Sequence, residues 1–95
     1  MLRMIVLLAG FAVTLPTQAA NRAFVVGNGN YTSVQSLPNP SNDARDMASK
    51  LKSLGYQVTL GVDLSRRDFL KEFQSFTGSL QPDDLALFFY AGHGL

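Results

Sequence analysis

The only histidine of this 95-residue chain, His93, lies between two glycines in the segment Ala91-Gly92-His93-Gly94. Histidine is a common general acid and base because its ordinary pKa lies close to neutral pH. The flanking glycines remove side-chain bulk, so a substrate carbonyl could approach both the imidazole and the Gly94 amide. Taken alone, the pattern fits a catalytic loop and an ordinary turn equally well.

A strand is predicted immediately before this loop, where Leu85 to Tyr90 form a run of six apolar residues typical of a buried strand. Two further strands are predicted earlier. Arg22 to Val26 is mostly apolar, and Tyr56 to Leu60 alternates apolar and polar residues before ending at Gly61. Because ligands bind beyond the carboxyl ends of strands in open parallel sheets, the third strand would deliver His93 to a binding edge.

Two helices are predicted between these strands. The first has apolar residues at helical spacing from Ser41 onward and a stop at Gly55. The second begins near Ser65, where the segment up to Asp68 resembles a capping box, and its phenylalanines are expected in the core. The order strand, helix, strand, helix, strand predicts an α/β fold with a parallel sheet and helices packed on its faces.

The first 20 residues have the features of a secretory signal peptide, which leaves residues 21–95 as the domain. Arg3 is the charged part, Met4 to Val13 the apolar part, and Thr17 to Ala20 a cleavage site of small residues. The apolar stretch of about ten residues is too short to span a membrane. We therefore expect a secreted or periplasmic protein without a stable membrane anchor, and an uncleaved N-terminal anchor is the alternative.

The composition argues against several classes of partner. Removing 20 of the 95 residues leaves 75, in which seven Lys and Arg face seven Asp and Glu. This balance, with no basic cluster beyond Arg66-Arg67, predicts no nucleic-acid partner. The sequence has no cysteine, so it offers neither a disulfide nor a thiolate zinc site, and we expect no metal or other cofactor.

The segment Gly27-Asn28-Gly29 could suggest a dinucleotide-binding loop, but that interpretation fails. The third glycine of such a fingerprint would fall on Thr32, and no helix is predicted to start there. Gly27 to Tyr31 is instead expected to form a tight turn in which Asn28 hydrogen-bonds the backbone.

Several motifs in the same order resemble the beginning of a caspase or metacaspase catalytic domain. They are Gly27-Asn28 after the first strand, Asn42-Asp43-Ala44 opening a helix, Leu54 to Val58, and above all Leu87 to Gly94. The resemblance covers residues 22–95 and implies a three-layer α/β fold of the caspase type. Because three parallel strands would leave two sheet edges bare, we expect the domain to be truncated after the third strand and to continue beyond Leu95.

The resemblance implies a cysteine-type endopeptidase that acts on a peptide or protein substrate with a Cys-His dyad. In such a site a thiolate attacks the scissile carbonyl, His93 protonates the leaving amine, and the Gly94 N–H helps to form the oxyanion hole. The nucleophilic cysteine would lie on the following strand, so the 95 residues alone are expected to be inactive. A non-catalytic exported binding module and an inactive truncated fragment are the alternatives.

Asp43 has two interpretations. It resembles the metacaspase acid that binds a basic substrate side chain, yet an acid in the first turn of a helix is also favourable for the helix dipole. We slightly favour the dipole interpretation. Caspases carry an arginine shortly before this helix to bind substrate aspartate, whereas this chain has Ser36 to Asn39 there. Strict aspartate specificity is therefore not expected.

Overall fold

The structure, a computed structural model, describes residues 19–29 and 39–92. Its elements in chain order are β1 (Asn21–Asn28), α1 (Asn39–Ser53), β2 (Gln57–Val62), α2 (Arg66–Gly78) and β3 (Leu85–Gly92). The strands form one parallel sheet in the order β2-β1-β3. The predicted α/β architecture with helices between parallel strands is therefore confirmed.

Strand β1 is the centre of the fold because it pairs with both other strands and is covered on both faces. Its residues from Ala23 to Val26 are almost completely buried. Successive strand residues point to opposite faces of a sheet. Ala23 and Val25 therefore pack with residues of α1, while Phe24 and Val26 pack with residues of α2.

Local capping chemistry sets two of the helix ends, as the sequence predicts. Gly55 has a φ of 93°, a left-handed conformation that favours glycine, and the next amide, of Tyr56, returns to the Leu51 carbonyl at 3.0 Å. At the start of α2, the Ser65 hydroxyl accepts a hydrogen bond from the Asp68 N–H at 3.1 Å. Both predicted caps are thus confirmed.

The predicted end of one strand is wrong in detail. Strand β2 continues through Gly61 to Val62, and the Leu64 side chain lies so close to Gly61 that an added Cβ would be 2.5 Å from it. Among the described residues β3 pairs only with β1, and its Phe88 is 53% exposed there. The apolar composition of a strand shows that it can be buried, but it does not identify the segment that covers it.

The predicted signal peptide falls mostly outside the described residues, so it stays a prediction. Only Ala19 and Ala20 at its end are described. Within the described ranges, no helix is long and apolar enough to cross a membrane.

Candidate active site at the carboxyl edge of the sheet

The three strands end together at one edge of the sheet, which we call the carboxyl edge. In the pairing register Asn28 is opposite Gly92, and Gly27 is opposite Val62. Helix α1 starts at the same edge, where a Cβ added to Gly27 would lie against the Pro40 carbonyl oxygen and 2.6 Å from the Ala44 Cβ. Absence of a side chain at Gly27 therefore lets the start of α1 approach the backbone of β1 closely.

The predicted catalytic residues His93 and Gly94 lie just outside the described residues. The described chain reaches the carboxyl edge at Gly92, which precedes His93 and has a φ of 139°. Side chains rarely adopt that conformation, so the glycine before the histidine is a backbone requirement. The roles of His93 and Gly94 themselves stay predictions.

Asn28 is a buried polar side chain of this edge, at 4% exposed. Its carboxamide oxygen accepts from the Leu64 N–H at 2.9 Å, and its amide group donates to the Leu64 carbonyl at 3.2 Å. The predicted tight turn from Gly27 is wrong at its start, because Gly27 and Asn28 belong to β1. Asn28 does form hydrogen bonds with the backbone, as predicted, but its partner is Leu64, which follows β2. These hydrogen bonds hold the end of β2 beside β1.

Asp63 joins three segments at the carboxyl edge, and the sequence interpretation did not single it out. Its N–H donates to the Gly27 carbonyl at 2.9 Å, and its Oδ1 accepts from the Gly29 N–H at 2.9 Å and the Ser41 hydroxyl at 3.2 Å. It has a φ of 54°, a conformation that Asp tolerates better than most residues. A clue was available in the sequence, because an acid directly after a strand commonly closes a turn.

The dipole interpretation of Asp43 is wrong, because the helix begins earlier than predicted. Helix α1 starts at Asn39 and contains no acidic residue in its first turn. Pro40 is accommodated there because the first turn of a helix needs no backbone N–H from it. Asp43 consequently lies beyond the stretch where the dipole acts most strongly.

Asp43 instead lines an open cavity of about 340 Å³ between α1 and β3, together with Asp46, Met47, Lys50 and Phe89. Met47 and Phe89 give the cavity an apolar surface, and the two carboxylates and one ammonium group supply the charge. Phe89 lies four residues before His93 in the sequence. The cavity thus combines an apolar surface with charged groups of both signs.

The described residues offer no metal centre. Across residues 19–29 and 39–92, no three His, Cys, Asp or Glu side chains cluster in a way that could hold an ion. The polar groups that this part of the chain brings to the carboxyl edge are side-chain carboxylates, carboxamides and hydroxyls, together with backbone amides.

Comparison with known proteins identifies the family. The family model that describes the caspase domain matches residues 20–95, a range that includes all five elements, the carboxyl edge and the segment His93-Gly94. No curated protein matches the sequence significantly. Because the matched range is most of the chain, and because the parallel sheet and flanking helices agree with it, this chain belongs to the caspase domain family of cysteine peptidases.

Proposed function

We propose that this chain is the histidine-bearing part of an exported cysteine-type endopeptidase that works through a Cys-His dyad. The observation that carries the proposal is the way β3 ends. The strand reaches the carboxyl edge at Gly92, which is opposite Asn28 and has a backbone conformation that side chains rarely adopt. The next two residues of the chain are His93 and Gly94. Ligands of open parallel sheets bind at this edge.

In the proposed reaction a thiolate attacks the scissile carbonyl carbon and forms a covalent bond to it. His93 donates a proton to the leaving amine as the peptide C–N bond breaks. The Gly94 N–H donates a hydrogen bond to the oxygen that becomes negatively charged. The sequence from Met1 to Leu95 contains no cysteine, so the thiol must come from outside these residues.

Asp43 is the proposed binding residue for a basic substrate side chain, a lysine or an arginine. Its place in α1 leaves it exposed, and it shares a cavity with the apolar side chains of Met47 and Phe89. An arginine stem could lie on Phe89 while its guanidinium pairs with the carboxylate, because guanidinium groups favour both contacts. Loss of the helix-dipole interpretation removes the main alternative role for Asp43.

The first test is peptide hydrolysis by the exported protein that the cell makes from this gene. We expect His93→Ala to lower kcat by about 10²- to 10⁴-fold, since general acid catalysis contributes that much. The rate of hydrolysis would be measured for a series of peptides with lysine, arginine, aspartate or leucine before the scissile bond. Unchanged kcat in the His93→Ala protein would exclude the proposed dyad.

The second test concerns specificity. We expect Asp43→Asn to raise KM for peptides with lysine or arginine while leaving kcat close to its original value, because only substrate binding is weakened. Asp68→Asn, which changes an exposed acid on α2, is the matched control and should leave KM unchanged. If Asp43→Asn raised KM equally for peptides with a basic residue and for peptides with leucine, a role for Asp43 in binding the cation would be contradicted.

A non-catalytic exported module that binds peptides is the second candidate, and the absence of a cysteine from the strand expected after Leu95 would favour it. The same experiments distinguish the two functions. A binding module would retain peptides without cleaving them, and His93→Ala would not alter turnover because there would be none.

A further inference from the structure

Ala20, the last residue of the predicted signal peptide, lies just before β1 and is hydrogen-bonded to the start of β3 and to the residue before it. Its carbonyl accepts a hydrogen bond from the Leu85 N–H at 2.9 Å, which joins the start of β1 to the start of β3. Its own N–H donates to Asp84 Oδ1 at 2.9 Å. Ala19 is exposed, whereas Ala20 is half-buried, and the caspase domain match begins at residue 20. The border between leader and domain therefore lies between Ala19 and Ala20.

The Asp84 carboxylate is held in a fixed position to face Ala20. Its side chain is only 2% exposed, its Oδ2 accepts from the Gln81 N–H at 2.8 Å, and the same oxygen lies 3.8 Å from an Arg22 guanidinium nitrogen. Hydrogen bonds from the Gln81 and Ala20 amides, with a smaller contribution from Arg22, lower the pKa of Asp84. The carboxylate is consequently ionised at neutral pH, with one oxygen directed at the Ala20 nitrogen.

We propose that the leader is cleaved between Ala19 and Ala20, and that the α-ammonium group created at Ala20 forms an ion pair with the Asp84 carboxylate. The chemistry is hydrolysis by a signal peptidase of the exporting cell. Water adds across the bond between the Ala19 carbonyl carbon and the Ala20 nitrogen. Ala19 leaves as a carboxylate, and the released amine takes up a proton at neutral pH.

The sequence around this bond fits the proposal. Thr17 and Ala19 are small residues at the third and first positions before it, the pattern of a signal-peptidase site. Cleavage one residue later would remove the groups of Ala20 that bond Asp84 and Leu85. A buried carboxylate would then lose a partner, and the first amide of β3 would lose its acceptor, both of which are unfavourable. The leader is therefore residues 1–19, one residue shorter than the 20 residues assigned to it in the sequence analysis.

Processing would convert a hydrogen bond between a neutral amide and an ionised carboxylate into an ion pair at the same nitrogen. A hydrogen bond in which both groups are charged adds Coulomb attraction to the contact. The ion pair raises the pKa of the amine above its ordinary range of about 7.7 to 8.0. As long as Asp84 is ionised, the extra stability is therefore complete below that range, and it is lost as the pH rises through the raised pKa.

The first experiment is N-terminal sequencing and intact mass measurement of the protein recovered after export. We expect a chain that begins with Ala20. A chain that begins with Asn21, or one that retains Met1, would overturn the proposal. This measurement needs no catalytic activity, so its failure is distinguishable from failure of the peptidase function, which the His93→Ala protein tests.

The second experiment measures the α-amino group of the processed protein by its rate of acylation as a function of pH. We expect the amine of the unmodified protein to titrate above about 8.0. Asp84→Asn should return it to the ordinary range and accelerate acylation at pH 7, whereas Asp83→Asn, which changes an exposed neighbour, should not. An ordinary pKa in the unmodified protein would contradict the ion pair even if the Asp84→Asn protein failed to fold.

Discussion

The two faces of the sheet are packed in different ways. The face toward α1 is built from small and aliphatic side chains that are almost fully buried: Ala23, Val25, Ala44, Ala48 and Leu51. The face toward α2 is built around aromatic rings, of which only Phe24 and Phe76 are fully buried. The α1 face thus depends on close approach of backbones, whereas the α2 face depends on the volume of its rings.

This difference explains why the candidate site lies beside α1. Close contact between Gly27 and the start of α1 fixes the helix at the carboxyl edge, where Ser41 is held by Asp63. Asp43 is therefore presented next to β3 by a helix with little freedom to shift. Helix α2 supplies hydrophobic cover, and its rings reach Phe88 and Tyr90 on the opposite side of β3. A well-packed support is what a catalytic edge requires.

The largest expected effect is on the aromatic face. Phe76→Ala should lower the free energy of unfolding by about 3–5 kcal/mol, because it removes a ring stacked 5.5 Å from Phe24 and in edge contact with Phe88. Chemical denaturation of the exported protein would measure it. Leu70→Ala, at an exposed position of the same helix, is the control and should cost much less. If both variants lowered the free energy of unfolding equally, the volume of the buried rings would not be what stabilises this face.

A smaller loss is expected where the backbones approach. Gly27→Ala should lower the free energy of unfolding by about 1–3 kcal/mol, since the new methyl group overlaps Pro40 and Ala44 unless α1 moves away. Gly78→Ala is the matched control, because an added Cβ there meets nothing within 4 Å. If α1 moves, the Gly27→Ala protein should also lose substrate affinity through Asp43. Unchanged stability would contradict the close-approach interpretation.

The smallest effect is expected at the start of α2. Ser65→Ala removes the acceptor for the Asp68 N–H and should cost about 1 kcal/mol. Ser75→Ala, at an exposed position inside the same helix, should be close to neutral by the same thermal or chemical unfolding measurement. A loss at Ser65 approaching that of Phe76→Ala would mean that capping, and not ring packing, dominates the α2 face.

The sequence predicted those features of fold and site that depend on nearby residues. The capping hydrogen bond of Ser65 and the left-handed Gly55 involve only neighbours in the chain, and both are observed. The glycine before His93 also proved to have the backbone conformation that glycine favours. The role of Asp63 and the actual partner of Asn28 were not predictable, because their contacts join segments separated by 22 to 36 residues.

The amino-acid sequence by itself determined the order of strands and helices, since hydrophobic periodicity and cap residues act within a few positions of the chain. Only the tertiary structure decided that β1 lies between β2 and β3 in the described sheet. It also decided that Ala20 meets Asp84. These outcomes arise from hydrogen bonds and packing between segments far apart in the chain, and no local pattern encodes such partners.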